Sequence, residues 1–231
     1  MKTAFLLATA LLLLSPVLIT PTLDASHFEG PYVGLHTGYL QGKHSDVQRN
    51  SHEPIWFVDN VKPKGMVWGL FAGFNKVVSN VLYGIEADID HLRARGGKNS
   101  HAPGQPDNGY PMKNQHRCAA SLRARLGLIF NHDSTLVFIT GGQAIARLRT
   151  DLYNLTGDVL YDSDIRNIYG WTAGLGLEQS ITEKLSMKLE YRHSLYRSFR
   201  LYDTQYSGVS PGSDRISSKS DSIRLGFSYH F

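Results

Sequence analysis

The chain has 231 residues, a formal net charge of +4, 22 glycines, 12 tyrosines and a single cysteine, Cys118. One cysteine excludes an internal disulfide and a thiolate metal cage, and the length suits one domain. The basic residues are scattered, with neither a clustered Lys/Arg stripe nor an aromatic RNA-binding motif, so nucleic acid is not an expected partner.

The first 25 residues read as a secretory signal peptide: a positive Lys2, an apolar run from Ala4 broken by Pro16, and a small-residue exit at Ala25. A retained membrane helix is the competing reading, disfavoured by Pro16 and the polar exit. No cysteine follows at the cleavage point to carry a lipid anchor. The expected organisation is a cleaved signal over 1–25 and one domain over 26–231. No later apolar run approaches the length of a membrane-spanning helix.

Alternation of apolar and polar residues predicts eight strands, over 31–40, 66–77, 81–91, 117–130, 135–149, 165–178, 185–198 and 218–231. The connections at 78–80, 131–134 and 179–184 are short. Those at 41–65, 92–116, 150–164 and 199–217 are long and polar. Tight turns at one end and long loops at the other predict an all-β fold, an eight-stranded antiparallel up-and-down transmembrane β-barrel. The last strand, SIRLGFSYHF, sets Ile223, Leu225, Phe227, Tyr229 and Phe231 on one face, and pairing with the first strand would close the barrel with that face toward lipid.

The opposite faces are charged. Glu86, Asp88 and Asp90 alternate with Ile85, Ala87 and Ile89; Arg123 and Arg125 alternate with Leu122, Ala124 and Leu126; Lys188, Glu190 and Arg192 alternate with Met187, Leu189 and Tyr191. Lone charges inside a narrow barrel would be very costly, whereas acids and cations on neighbouring strands satisfy one another. Glu86, Asp88, Arg123, Arg125, Lys188, Glu190, Arg192 and Arg224 are therefore expected to fill the lumen, with His36 and His230 also pointing inward. Gly65, Gly69 and Gly73, and likewise Gly170, Gly174 and Gly176, would leave room for those long side chains. Two outward aromatic belts are expected. Tyr39, Trp68, Trp171 and Tyr191 would lie toward the long loops, and Phe74, Tyr83, Phe130, Phe138, Tyr229 and Phe231 toward the short turns.

The segments FEGPYVGLHTGY, GLFAGFNKVVSNVLYGIEADI, LRARLGLIFNHDSTLVFITGGQA, GWTAGLGLEQSITEKLSMKLEYRHS and IRLGFSYHF resemble, in order, the strand pairs of small alphaproteobacterial outer-membrane β-barrels related to the OmpA transmembrane domain. The resemblance implies insertion into the bacterial outer membrane by the outer-membrane assembly machinery, with Phe231 as the assembly signal. Some such proteins bind haemin, and many are described as porins. The outward apolar faces would contact outer-membrane lipid, and the basic residues of the long loops could meet lipopolysaccharide phosphates.

The expected function is a structural surface role in envelope integrity or surface contact. The alternative is haemin binding, or capture of a host surface ligand, by the long loops. There His44, His52 and His101 could ligate iron, and Arg93, Arg95 and Lys98 could meet the propionates. A small-conductance porin ranks below both. No resident cofactor and no metal are expected. No catalytic residue is expected either: GVSPG at 208–212 fits a nucleophile-elbow pattern, but Pro211 offers no N–H to an oxyanion, and His132, Asp133 and Ser134 sit consecutively in a turn.

Overall fold

The computed structural model describes residues 26–47, 57–99, 111–130, 134–153, 160–201 and 214–231. The expected signal segment lies outside them. The strands are β1 (Gly30–Val47), β2 (Phe57–Val61), β3 (Lys64–Val78), β4 (Val81–Asn99), β5 (Pro111–Phe130), β6 (Thr135–Tyr153), β7 (Leu160–Ser180), β8 (Leu185–Leu201) and β9 (Asp214–His230). From β3 to β9 each strand pairs antiparallel with the next, and β1 pairs with β3 on one side and β9 on the other, so the sheet closes. Among the described residues there is no helix.

The barrel has eight lanes, because β2 and β3 share one. β2 pairs with the far end of β1, His44 opposite Val61 and Val47 opposite Phe57, on the side where β3 pairs nearer the start of β1. Pro63 interrupts the lane since it has no N–H to donate. Its carbonyl still accepts from Gly42 N at 2.7 Å.

The register gives the barrel's geometry. One row of paired residues runs Pro31, Phe74, Ile85, Ala124, Gly141, Ala173, His193, Asp221 and returns to β1 at Gln41, a stagger of ten residues. With eight lanes and ordinary strand spacings this sets a tilt of about 40°, which leaves a lumen just wide enough for side chains.

Period-two alternation sorts the side chains. Val33, Leu35, Leu70, Ile85, Ile89, Leu122, Ile139, Leu175, Leu189 and Ile223 all stand exposed on the outer wall. In water such a surface would aggregate; in a bilayer it is the solvent-facing side. Tyr39, Trp68 and Trp171 are exposed toward the long-connection end, where Tyr169 joins them, and Phe74, Tyr83, Phe130, Tyr229 and Phe231 are exposed toward the short turns. Tyr191 also faces outward.

Three expectations need correction. Phe138 faces the lumen at 2% exposure, because β6 places Val137 and Ile139 outward. The described parts of the long connections are mostly strand: β4 runs to Asn99, β5 starts at Pro111 and β7 at Leu160. Such extensions rise beyond the apolar band and need no apolar face, so their polar composition hides them. Finally, Gly65 and Gly170 serve close strand approach rather than long side chains. A Cβ at Gly65 would lie 2.6 Å from the Cα of Ala94, and one at Gly170 would lie 2.7 Å from the Cα of Tyr196. Gly69 and Gly174 do abut charged groups, Asp90 Oδ1 and Glu190 Oε1, each 2.7 Å from such a Cβ. Gly73 and Gly176 make room for the rings of Tyr32 and Phe138.

Candidate functional site

Glu86, Asp88 and Asp90 occupy successive inward positions of β4, so their carboxylates stack up one wall of the lumen. Each meets a cation from the far side of the barrel. Lys188 Nζ on β8 donates to Glu86 Oε2 at 2.7 Å, Arg192 Nη1 on β8 donates to Asp88 Oδ1 at 3.1 Å, and Arg224 Nη2 on β9 lies 2.7 Å from Asp90 Oδ2. Arg123 binds three acids at once. Its Nη2 donates to Glu86 Oε1 at 2.5 Å and lies 3.1 Å from Asp88 Oδ2, while its Nη1 donates to Glu190 and to Thr140 Oγ1 at 3.0 Å. Arg192 Nη2 reaches the other oxygen of Glu190 at 3.2 Å.

Arg125, nearer the short turns, donates to Glu178, which also accepts from Ser186 Oγ. All eight residues expected in the lumen thus lie in one connected cluster. Asp90 belongs to it although the expected set omits it, as do Glu178 and Tyr32, which sequence reasoning does not single out. Tyr32 Oη donates to Glu86 Oε2 at 2.8 Å and accepts from Arg125 Nη1 at 3.2 Å. His36 Nε2 sits 2.7 Å from Asp90 Oδ1, and His230 Nε2 3.0 Å from Ser186 Oγ.

The cluster is charge-balanced. Among the described residues the buried acidic side chains are Glu86, Asp88, Asp90, Glu178 and Glu190, and the buried Arg and Lys side chains are Arg123, Arg125, Lys188, Arg192 and Arg224. Aromatic faces add further anchoring: Lys188 Nζ lies 3.6 Å from the Phe71 ring centre, and the Arg125 guanidinium 4.1 Å from that of Phe138.

Apolar side chains cap both ends. Toward the short turns, Phe28 from the segment before β1 packs with Leu82, Ile129, Leu136 and Phe138, and Asn75 Nδ2 holds the Phe28 carbonyl at 3.0 Å. Toward the long connections, Leu40, Val67, Leu92 and Ala94 form one group, and Ala146 with Ile168 another. Between the polar cluster and this upper cap lies a cavity of about 20 Å³ lined in part by Asp88, Asp90, Arg192 and Arg224. That is room for about one water molecule.

The outer membrane protein beta-barrel domain family matches residues 10–231. The chain belongs to this family. It is an outer-membrane protein, as the sequence resemblance implied. A 25 kDa outer-membrane immunogenic protein of Brucella canis is 29% identical over 217 residues, covering 94% of this chain and 84% of that protein. A 22 kDa outer membrane protein of Rhizobium leguminosarum bv. viciae is 26% identical over 211 residues, covering 91% of this chain and 82% of that one. The crystal structure of the outer membrane protein OprG from Pseudomonas aeruginosa is similar with a TM-score of 0.51 at 12% identity, covering 89% of this chain and 99% of that chain. At that identity the likeness is one of barrel fold.

The haemin candidates of this outer-membrane barrel do not form a described pocket. His52 and His101 lie outside the described residues. His44 is in β1, Arg95 and Lys98 are in β4, and Arg93 is exposed on the outer face of β4. Among the described residues no group of three or more His, Cys, Asp or Glu side chains could hold a metal ion. The GVSPG segment, His132 and Asp133 also lie outside the described residues, and Ser134 is in the turn before β6.

Proposed function

We propose that this outer-membrane barrel is a structural surface protein, without catalytic activity, that passes no solute and contributes to envelope integrity. The observation that carries the reading is the lumen: five buried acids face five buried cations between two apolar caps, and the cavity below the upper cap has a volume of about 20 Å³. A hydrated ion would have to break several charge-assisted hydrogen bonds to pass. Purified monomer in planar bilayers should show no large, stable openings. Sustained conductance steps of porin size would overturn the reading.

With function placed outside the lumen, the hairpins at the long-connection end become the surface that other molecules meet. Relatives named as immunogenic outer-membrane proteins support that orientation. Protease added to intact cells is expected to cut in the connections between β1 and β3, β4 and β5, β6 and β7 or β8 and β9, and to spare Ser79–Asn80 between β3 and β4. Cleavage confined to the short turns would invert the orientation.

A further inference from the structure

The outer wall changes chemistry just above the upper aromatic belt. For the tilt and stagger given above, each residue along a strand climbs about 2.5 Å of barrel axis, and each lane along a paired row climbs about 3 Å. On that scale Lys43, Lys64, Arg93, Arg147, Arg197 and Lys219, all exposed and on β1, β3, β4, β6, β8 and β9, lie within about 5 Å of one level. Arg117, exposed at the bulge of β5, joins them. On the β7 lane no described side chain supplies a cation at that level.

None of these cations has an acidic partner among the described residues. At the opposite end Lys76 is neutralised by Glu29 at 2.7 Å. Asp221, an outward acid on β9 two residues from Lys219, is already engaged by Tyr191 Oη at 2.6 Å and His193 Nδ1 at 2.7 Å. Moreover Lys43 and Lys219 are direct cross-strand partners. Two like charges placed opposite each other destabilise a sheet unless an anion lies between them.

Below part of this ring the wall is hollow. Gly141 and Ala173 face outward as register partners, and with Trp171, His193 and Leu195 they line an open groove of about 410 Å³. Arg147 on β6 and Arg197 on β8 stand above it, on the two lanes that flank β7.

We propose that the ring binds the phosphates of a phosphorylated, multiply acylated glycolipid of the surrounding outer leaflet, one acyl chain lying in the Gly141–Ala173 groove. The inference rests on the orientation that puts the long connections outside. The occupant follows from position: the ring stands at headgroup height above an apolar band, where anions are carried by lipids, and the groove beneath it opens into hydrocarbon. A cation on seven of eight lanes draws such lipids from every side, and the groove selects one sector for tight seating.

The test is a titration of the refolded barrel, in uncharged detergent, with lipid A, with dephosphorylated lipid A and with phosphatidylcholine, followed by native mass spectrometry. Saturable binding of lipid A is expected, at least tenfold weaker after dephosphorylation and at least tenfold weaker for the quadruple variant K43Q/R147Q/R197Q/K219Q. Gly141→Leu, which meets open space at its Cβ, should weaken binding several-fold while leaving the phosphate dependence in place. Equal affinity for the dephosphorylated lipid, a result that needs no variant to fold, would overturn the proposal; so would an unweakened quadruple variant or the absence of saturable binding. Inverted cleavage in the protease experiment would remove the orientation, whereas failure here with normal cleavage would remove the ring alone.

Discussion

Replacing Arg123 with alanine will lower the stability of the folded barrel by about 3–5 kcal/mol, the usual consequence of leaving buried charge without its partner. The side chain is fully buried, with Glu86, Asp88 and Glu190 all within bonding distance of its guanidinium. Water cannot replace it freely, because apolar caps close both ends of the lumen. The acids would have to take up protons, pull Lys188 and Arg192 out of their own contacts, or both. Urea unfolding in lipid vesicles, read by the heat-modifiable migration of the folded form, should show the loss. Removing acid and cation together should cost less: Arg125→Met combined with Glu178→Met takes out the ion pair as a unit, although the Tyr32 and Ser186 hydroxyls each lose a partner. An Arg123→Ala variant as stable as the parent would mean that the carboxylates are satisfied by something other than this guanidinium.

The second large effect separates two adjacent glycines. Gly142→Leu should abolish or severely weaken folding, at a cost of about 3 kcal/mol or more, while Gly141→Leu should leave stability nearly unchanged. A Cβ at Gly142 would approach the backbone of β5, 2.6 Å from the Cα of Arg123 and 2.9 Å from the carbonyl carbon of Leu122. Backbone held in a ladder on both sides cannot move aside as a side chain can. A Cβ at Gly141 meets nothing within 4 Å, since it points out over the groove. Parallel refolding yields of the two variants check this, and equal tolerance would mean that β5 and β6 are not so closely apposed.

Much of this architecture is legible in the residues alone, and the misses have physical causes. The charged strands announce themselves because Glu86, Asp88 and Asp90, or Arg123 and Arg125, alternate with aliphatic residues, and only one frame puts the charges together. The strand TLVFITGGQA carries no such marker. Val137, Phe138 and Ile139 are apolar on both faces, so nothing local says that Phe138 points inward to support Arg125. Glu178 is hidden differently: it follows a run of Gly and Thr on the inner face of β7 and stands beside Gln179 and Ser180, where a turn is expected. Its partner Arg125 is 53 residues away in sequence, a distance that alternation cannot bridge. Tyr32 reads as one more aromatic of the first strand until closure brings Glu86 to its hydroxyl. The ring of outward cations is the extreme case, since its members become neighbours only after tilt and stagger are known.

The distribution of charge among the strands bears on how the chain enters the membrane. A sheet completed only through β7 would hold the acids Glu86, Asp88, Asp90 and Glu178 against two cations, Arg123 and Arg125. Lys188 and Arg192 arrive with β8 together with the fifth acid, Glu190, and Arg224 arrives with β9. An incomplete sheet therefore presents surplus negative charge to hydrocarbon, and neutrality is reached only when the final strand docks against the first. Partial sheets that include β4 carry uncompensated inward charge, which favours insertion and closure as one cooperative event, with the last two strands completing the balance.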